Sequence, residues 1–323
     1  MAKARLGTGL SLFVLALTCA GTVHAQGAFP SKPIRLVTSA PGGGGDLVSR
    51  IISESLAASI GQPVIVENRG SPGVVQAQIV AKAQPDGHTL LVIQNQLWVF
   101  PFLQDKVPYH PVRDFTPITQ ADTSPNILVV HPSLPVRTVK ELITYAKARP
   151  GELNYARPST GGPTHLAAEL LNEMAGLKTV GIAYKGGAAV GLAILSNEVG
   201  LGFVSLAGGG GHIKANRLIA LGVSTLKRSI LFPDIPTLDE SGLPGFEAIQ
   251  LNVIFAPSAT PTPIVRRLHR EIVEVLRKKE VQARFLAMGV ETVGNSPEEI
   301  ASYIKSDMAK WGKLIKSRGI REN

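Results

Sequence analysis

The chain has 323 residues, enough for about two domains, and its 44% hydrophobic and 18% charged residues are typical of a folded globular protein. The formal net charge of +9 is spread along the chain without a zinc-finger or RNA-binding signature, so we expect no nucleic-acid partner. The only cysteine, Cys19, lies in a predicted signal peptide, which leaves the mature chain without disulfides or a cysteine nucleophile.

Residues 1–25 have the pattern of a secretory signal peptide. Lys3 and Arg5 precede the apolar run LSLFVLALTCA, and Val23 and Ala25 form a small-x-small cleavage pattern. The run is too short for a membrane span, which needs about 20 residues. We predict cleavage after Ala25, which would leave 31 basic against 24 acidic residues, a net charge of +7. Such a mild positive field favours an anionic small ligand.

The first half of the mature chain alternates strands and helices. Strands are predicted at residues 33–39, 64–67 and 88–94. Asp46 is the predicted N-cap of a helix that Gly61 ends, and a second helix is predicted at 74–83. This βαβαβ pattern is typical of a parallel sheet with helices on its faces.

The second half repeats the alternation, and the last third is helical. Strands are predicted at 126–131, 153–156, 180–184, 199–204, 219–224 and 253–256, with helices at 139–148, 165–174 and 188–195. Two further helices begin at Pro263 and after Ser296, where Glu299 completes a capping box. The sequence therefore predicts an α/β fold with two lobes and a helical C-terminal section packed on one of them.

Glycine-rich turns stand between a strand and a helix at matching positions of the two lobes. The first is APGGGGD at 40–46, and the second is RPSTGGPTH at 157–165, which adds three hydroxyls. Helix N-termini carry unpaired N–H groups and a positive dipole end, and glycine lets an anion approach them. Two such loops could face each other over a cleft, and they predict a site for a small carboxylate.

Other functions fit the sequence less well. The first loop lacks the Lys and Ser/Thr of a P-loop, and Leu47 stands where a dinucleotide fingerprint has its third glycine. A nucleotide-dependent oxidoreductase stays the enzyme alternative. No Gly-x-Ser-x-Gly or His-Glu-x-x-His occurs, and no evident acid orients His165, so we expect no catalytic residue, metal site or cofactor.

Motifs along essentially the whole mature chain resemble the substrate-binding proteins of tripartite tricarboxylate transporters, the TctC or Bug family. Among them are FPSKPIRLV, APGGGGD, GQPVIVENR, AQPDGHTLLV, TVKELITYAKARPGELNYA, GGPTHLAAELL, IAYKGG and RSILFPDIPTLDESGLPGFE. The resemblance implies a periplasmic two-lobed (Venus flytrap) fold, with residues 26–125 and 254–323 in lobe 1 and 126–253 in lobe 2. It also implies a monomeric receptor without enzymatic activity that serves membrane transporter subunits or, alternatively, a sensor kinase.

The resemblance also implies that one ligand carboxylate sits at the two loops. Backbone N–H groups of the first loop and hydroxyls of the second are the predicted donors. The full set of predicted ligand-binding residues is Ser39, Pro41, Gly42, Gly43, Gly44, Asp46, Asn95, Ser159, Thr160, Gly161, Thr164, His165, Tyr184 and Ser205.

Two regions depart from the family pattern. The run Gln94-Asn95-Gln96-Leu97-Trp98 replaces small polar residues, and Ser205 with four following glycines replaces an Asp-Asn pair. Because this acidic residue is lost, we expect a plain or aromatic carboxylate rather than a ligand with an amino group. Trp98 is a candidate for stacking on a ligand ring, with a packed tryptophan as the alternative.

Overall fold

The computed structural model describes residues 29–70, 73–158 and 160–321, which form two β-sheets with helices on their faces. The predicted signal peptide and Ser159 lie outside the described residues. The strands of the first sheet are β1 (Ile34–Thr38), β2 (Val64–Asn68), β3 (Thr89–Gln94), β4 (Phe115–Ser124), β10 (Gln250–Pro257) and β11 (Glu291–Thr292). The strands of the second sheet are β5 (Asn126–Val130), β6 (Asn154–Arg157), β7 (Val180–Ala183), β8 (Leu201–Ser205) and β9 (Ile219–Val223).

The first sheet has the order β11-β4-β10-β3-β1-β2. Strand β1 is parallel to both β2 and β3, as the βαβαβ pattern predicts. Strand β10 runs antiparallel between β3 and β4, so a strand from late in the chain lies inside the sheet. We call the parts of the chain around the two sheets the first and the second lobe.

The second sheet has the order β7-β6-β8-β5-β9. Strand β6 is parallel to β7 and β8, whereas β5 is antiparallel to β8 and β9. The chain passes between the sheets at Pro125, which separates β4 from β5, and returns to the first sheet with β10. The ends of β4, β5 and β10 therefore lie together where the lobes meet.

The helices within the described residues cover the sheets and the C-terminal region. They are α1 (Gly44–Ile60), α2 (Val74–Ala81), α3 (Gln96–Leu103), α4 (Val139–Lys147), α5 (Pro163–Ala175), α6 (Gly187–Leu195), α7 (Leu206–Lys214), α8 (Thr262–Arg277), α9 (Lys279–Ala287) and α10 (Pro297–Arg318). The capping box of Ser296 and Glu299 before α10 is confirmed. Within the described ranges, no helix is both long enough and apolar enough to cross a membrane.

The first helix begins three residues earlier than predicted. Gly43 is its extended N-cap, and Asp46 lies in the first turn, so the prediction of Asp46 as the N-cap is wrong. The end at Gly61 is confirmed, since this residue has φ of 70° and donates its N–H to Ala57. Helix α7, which contains four glycines, was not predicted because glycine is a poor helix former, but Ser205 caps it by accepting the N–H of Gly208.

The C-terminal helix contacts both lobes, so the prediction that the helical C-terminal section packs on one of them is wrong. Helix α10 packs against α3 and β4 of the first lobe and against α5 of the second. Arg318 Nε at its end donates to Glu169 Oε2 of α5 over 2.7 Å. One continuous apolar core accordingly includes side chains of α3, α5, α10 and both sheets.

Candidate functional site

Two small cavities adjoin each other between the lobes. The cavity on the first-lobe side has a volume of about 240 Å³ and is lined by Gly44, Gln94 and Asp122 among others. The second, of about 150 Å³, is lined by residues of the second lobe that include Thr164. Ser205 and Gln250 line both, so the cavities form a continuous cleft of a size suited to a small organic molecule.

Four helices begin at the walls of this cleft. The lining residues Gly44, Thr164 and Gly187 lie in the first turns of α1, α5 and α6, and Ser205 is the N-cap of α7. Each N-terminus contributes unpaired N–H groups and the positive end of a helix dipole. Of the described residues that line the two cavities, none is a lysine or arginine. An anion in the cleft would thus be held by neutral donors and dipoles.

The backbones of the two predicted loops match residue by residue. Gly42 and Gly161 both adopt the left-handed conformation, with φ of 78° and 69°. The following glycines are both extended N-caps: φ and ψ are −73° and 162° at Gly43, and −67° and 159° at Gly162. The prediction of two equivalent strand-to-helix turns, one in each lobe, is confirmed by this geometry.

The third helical residue completes the match, because its side chain bonds back to the loop. Asp46 Oδ2 accepts the N–H of Gly42 over 2.9 Å, and His165 Nδ1 accepts the N–H of Gly161, also over 2.9 Å. Both side chains are buried rather than exposed in the cleft. They stabilise the turn from the side opposite the cleft. The arrangement is like a capping box, except that the third helical residue accepts the N–H of the residue before the N-cap instead of that of the N-cap itself.

Asp46 is fixed by further partners on the side away from the cleft. Its Oδ1 accepts from Asn68 Nδ2 over 2.8 Å and pairs with Arg50 Nε at 2.9 Å. Burial raises the pKa of Asp46, but the hydrogen bonds from Asn68 and Gly42 and the pair with Arg50 outweigh it, so the pKa lies below its usual value. The carboxylate is ionised at neutral pH and already occupied by protein donors.

His165 is a packed, neutral residue. It is 5% exposed, and burial together with the Arg157 guanidinium lowers its pKa to about 4, against the opposite effect of Glu169. Because Nδ1 accepts from Gly161, the proton lies on Nε2, which is 4.0 Å from Glu169 Oε1. Glu169 in turn accepts from Tyr155 and Arg318. His165 therefore belongs to a buried polar network behind the second loop.

Each glycine of the first loop is required for a different structural reason. Gly42 needs its positive φ. A Cβ on Gly43 would lie 2.9 Å from Ser39 Oγ, and one on Gly45 would lie 2.6 Å from Thr38 Oγ1. Gly44 faces the cleft, where a Cβ would lie 3.2 Å from Gln94 Nε2. Gly42, Gly43 and Gly45 thus shape the turn, and Gly42 and Gly44 line the cleft.

The N–H groups of the first loop are not equally available. Gly42 donates to Asp46, and Gly43 donates to Ala40 over 3.1 Å. The N–H of Gly44, the first residue of α1, has no acceptor among the described residues. The N–H groups of Gly45 and Asp46 also have no acceptor among the described residues, but of these three residues only Gly44 lines the cleft, so its N–H is the donor open to a ligand.

The second loop presents a hydroxyl instead. Pro163 is the first residue of α5 and has no N–H to offer. Thr164 Oγ1 is buried, lines the cleft and has no hydrogen-bond partner in the part of the chain that the structure describes. Thr160 Oγ1 accepts from Arg157 Nη1 over 3.2 Å and is not among the cleft-lining residues.

Four other predicted site residues do not line either cavity. They are Ser39, Pro41, Asn95 and Tyr184. Ser39 packs against Gly43 and accepts from Asn68 through its carbonyl, and Pro41 is exposed. Asn95 is buried just before α3, and its neighbour Gln94 lines the cleft in its place. Tyr184 packs against the core of the second lobe.

Sequence reasoning missed three polar side chains at the floor of the cleft. Asp122 on β4, Asn252 on β10 and Gln250 at the start of β10 line the first-lobe cavity. The loss of an acid after β8 therefore does not leave the cleft without one, since β4 supplies Asp122. Its position beside the first passage between the lobes was the only signal in the sequence.

Trp98 does not line the cleft. It is 0% exposed, and its indole N–H donates to Asp307 Oδ2 over 2.8 Å. Trp311 donates to the same oxygen, also over 2.8 Å. The hypothesis that Trp98 stacks on a ligand ring is wrong in this structure, and the packed alternative holds.

Comparison with known proteins places this geometry in a family. A sequence model described as "Tripartite tricarboxylate transporter family receptor" matches residues 48–320. A UPF0065 protein from the tcbD-tcbE intergenic region of Pseudomonas sp. strain P51 is 37% identical over 95% of this chain and 92% of its own length.

Two solved structures have the same fold. Rpa4515 of R. palustris, in a structure with adipate, has a TM-score of 0.76 and 31% identity over 91% of this chain and 99% of its own. MatC from Rhodopseudomonas palustris, with bound malate, has a TM-score of 0.71 and 27% identity over 89% of this chain and 100% of its own. The predicted two-lobed α/β (Venus flytrap) fold with a helical C-terminal section is confirmed. The chain belongs to the tripartite tricarboxylate transporter receptor family, the TctC or Bug solute-binding proteins.

Proposed function

We propose that this protein is a periplasmic receptor that captures a small carboxylate in the interlobe cleft and delivers it to a membrane transporter. The observation that carries the proposal is the convergence of four helix N-termini on a cleft whose described lining has no cationic side chain. Backbone N–H groups at helix N-termini bind carboxylates and phosphates in many proteins. The small cavity volumes favour a small organic acid.

The family supports this ligand class. Rpa4515 was solved with adipate and MatC with malate, and both are more than 25% identical to this chain. Both ligands are short dicarboxylates. The binding function of such receptors needs no reacting group, which agrees with His165 being committed to a structural bond.

The residues fall into two roles in this proposal. The N–H of Gly44, the hydroxyl of Thr164 and the N-cap Ser205 contact the carboxylate. Asp46 and His165 act as positioning residues, because their side chains hold the two turns from behind. The lobe boundaries of this proposal are 26–125 with 254–323 and 126–253, except that β10 already enters the first sheet at Gln250. Helix α10 joins the lobes, and residues 1–25 direct export.

Calorimetric titration of the purified protein with adipate, malate and succinate tests the ligand class. At least one should bind, and thermal shift should show the same order, since a ligand at 100 times its dissociation constant adds about 2.7 kcal/mol of stability. Nicotinamide cofactors serve as the comparison for the oxidoreductase alternative. Binding of a cofactor without binding of any carboxylate would reject the proposal.

A matched pair of variants tests the role of Gly44. Gly44→Pro removes the N–H while proline suits the first helical position, and Gly44→Ala adds a Cβ but keeps the N–H. The preceding Gly43 is extended, which proline tolerates. Hydrogen bonds to charged groups contribute about 1.5–3 kcal/mol, so Gly44→Pro should weaken binding by about 10- to 150-fold relative to Gly44→Ala. Equal affinity of the two variants would show that this N–H does not contact the ligand.

A further inference from the structure

Asp122 and Asn252 form a paired polar group at the floor of the first-lobe cavity. They are register partners on the antiparallel strands β4 and β10. The Asn252 side-chain Nδ2 donates to Asp122 Oδ2 over 2.8 Å, and the Asn252 backbone N–H donates to Oδ1 over 3.2 Å. Asp122 is 1% exposed and Asn252 is 3% exposed, yet both line the cavity. The pair is thus reachable only from the cleft.

Among the described residues, no lysine or arginine pairs with this carboxyl group. Burial raises the pKa of Asp122 to about 7, and the opposing effects come from the two Asn252 hydrogen bonds. The lining residues Gly44 of α1, Gln94 of β3 and Ser205 at the end of β8 are neutral. The charged residue on the adjacent strand β11 is Glu291, which is acidic and accepts a hydrogen bond from Ser229. A buried carboxyl group without a counter-ion is costly to ionise, so a hydrogen-bond donor on a ligand in the cleft would stabilise its charged form.

Asn252 carries an acceptor that the protein leaves unused. Its Oδ1 is buried and has no hydrogen-bond partner among the described residues. The amide cannot simply be flipped, because Nδ2 is needed to donate to the Asp122 carboxylate. A buried acceptor left unpaired costs about 1–3 kcal/mol, so this wall of the cavity presents one acceptor that lacks a donor, Asn252 Oδ1, beside the Asp122 carboxyl group.

We infer that Asp122 and Asn252 form a specificity subsite for a hydrogen-bond donor on the ligand, a hydroxyl or ammonium group near the bound carboxylate. This inference rests on the proposed function and narrows its ligand to substituted acids. The position a Cβ would take on Gly44 lies 4.0 Å from Asn252 Nδ2, so the side-chain amide of Asn252, which is bonded to Asp122, stands beside the proposed carboxylate contact. A substituent on a carbon close to that carboxylate would face them. This reverses the expectation, drawn from the lost acid after β8, of a ligand without such a group.

Calorimetry with succinate, malate and aspartate tests the inference, because these acids differ only in carrying hydrogen, hydroxyl or ammonium on one carbon. The hydroxyl or the ammonium acid should bind at least tenfold more tightly than succinate. Glutarate, 2-hydroxyglutarate and glutamate repeat the test with one more methylene. If a plain acid binds as tightly as both substituted partners in both series, the subsite is wrong while the proposed function stands. If no carboxylate binds, both fall.

The affinity of an Asp122 variant, and the dependence of affinity on pH, distinguish an ammonium donor from a hydroxyl donor on the ligand. Asp122→Asn keeps an acceptor but removes the charge, so it should weaken ammonium binding at least tenfold and hydroxyl binding about two- to threefold. In the unaltered protein, donor binding should strengthen between pH 6 and pH 8 as Asp122 ionises. Binding that strengthens as the pH falls would mean that a protonated Asp122 donates to a second ligand carboxylate, and would overturn the inference without requiring any variant to fold.

Discussion

The first and the second loop have the same backbone path over residues 42–46 and 161–165 but present different chemistry. Each has a left-handed glycine, an extended glycine N-cap and a buried third helical residue that accepts the N–H of the left-handed glycine. At the first helical position, however, Gly44 offers a bare N–H and Pro163 has none. Equivalent turns in the two lobes thus contribute different donors to one cleft.

The loops also differ in what lies behind them. The first loop is held by an ionised carboxylate with an arginine partner, whereas the second is held by a neutral imidazole. A Cβ on Gly161 would overlap with Leu103 of α3, but one on Gly42 would meet nothing within 4 Å. The second loop is therefore a packed joint between the lobes. The difference teaches that a glycine-rich turn can serve access in one lobe and close packing in the other.

Substitution of Gly161 should have the largest effect on stability. Gly161→Ala combines a left-handed backbone, which costs an L residue about 1–2 kcal/mol, with overlap against Leu103, which costs about 1–3 kcal/mol. Gly176→Ala is the matched control, since Gly176 has φ of 65° and open space around its Cβ position. Urea denaturation should show a loss of about 2–5 kcal/mol for Gly161→Ala and a loss of about 1–2 kcal/mol for Gly176→Ala. Equal losses would mean that Leu103 does not clamp the loop.

The neutral imidazole of His165 predicts that stability depends on pH between about 4 and 6.5, a range in which Asp46 of the first loop stays ionised. The pKa of His165 is about 4 when folded and about 6.5 when unfolded, so the unfolded state binds more protons between these values. Stability from this residue is complete above pH 6.5 and falls by about 3 kcal/mol as the pH drops to 4. His165→Asn keeps an acceptor for the Gly161 N–H and should flatten the profile in this window.

Asp122 must be controlled in the same experiment, because its effect has the opposite sign. Its pKa is raised to about 7, so the folded state binds more protons below that pH and acidification from pH 7 to 4 stabilises the protein. Asp122→Asn should steepen the acid-induced loss, by at most about 1.4 kcal/mol per pH unit, whereas His165→Asn reduces it. If His165→Asn leaves the dependence of stability on pH unchanged, the protonation of His165 does not contribute to the acid-induced loss of stability.

The sequence predicted the paired turns because glycine, proline and capping residues act locally. It misplaced the start of α1, since Asp46 has the composition of an N-cap but works from the third helical position. It missed the pair of Asp122 and Asn252 because these residues are 130 positions apart and meet only through the pairing of β4 with β10. Likewise, Trp98 looked available for a ligand until its distant partner Asp307 was known. Local backbone chemistry was readable from the chain, and long-range polar pairing was not.

Removal of the charge at Asp46 tests the first loop's support. Asp46→Asn loses an ionised acceptor for Gly42 and Asn68, which should lower stability by about 1–2 kcal/mol and weaken carboxylate binding. Because the pKa of Asp46 is below its usual value, the deficit should be the same at pH 7 and pH 5. Asp105→Asn is the control, since this exposed residue pairs with Arg321 at the surface and should change stability by about 0–1 kcal/mol. Unchanged binding and stability in Asp46→Asn would show that the turn holds its shape without the carboxylate.

The smallest expected effect separates the two threonines of the second loop. Thr164→Val removes a buried hydroxyl that has no partner among the described residues, so stability should rise slightly, by less than about 1 kcal/mol, while carboxylate affinity falls about five- to tenfold. Thr160→Val is the matched control, because its hydroxyl accepts from Arg157 and is not part of the described cleft lining. Its affinity should stay within twofold of the unaltered protein. A gain in stability together with a loss of affinity is expected where a protein leaves a polar atom unpaired so that it can bind a ligand. If Thr164→Val gains stability but keeps its affinity, the second loop has a packing role and does not contact the ligand.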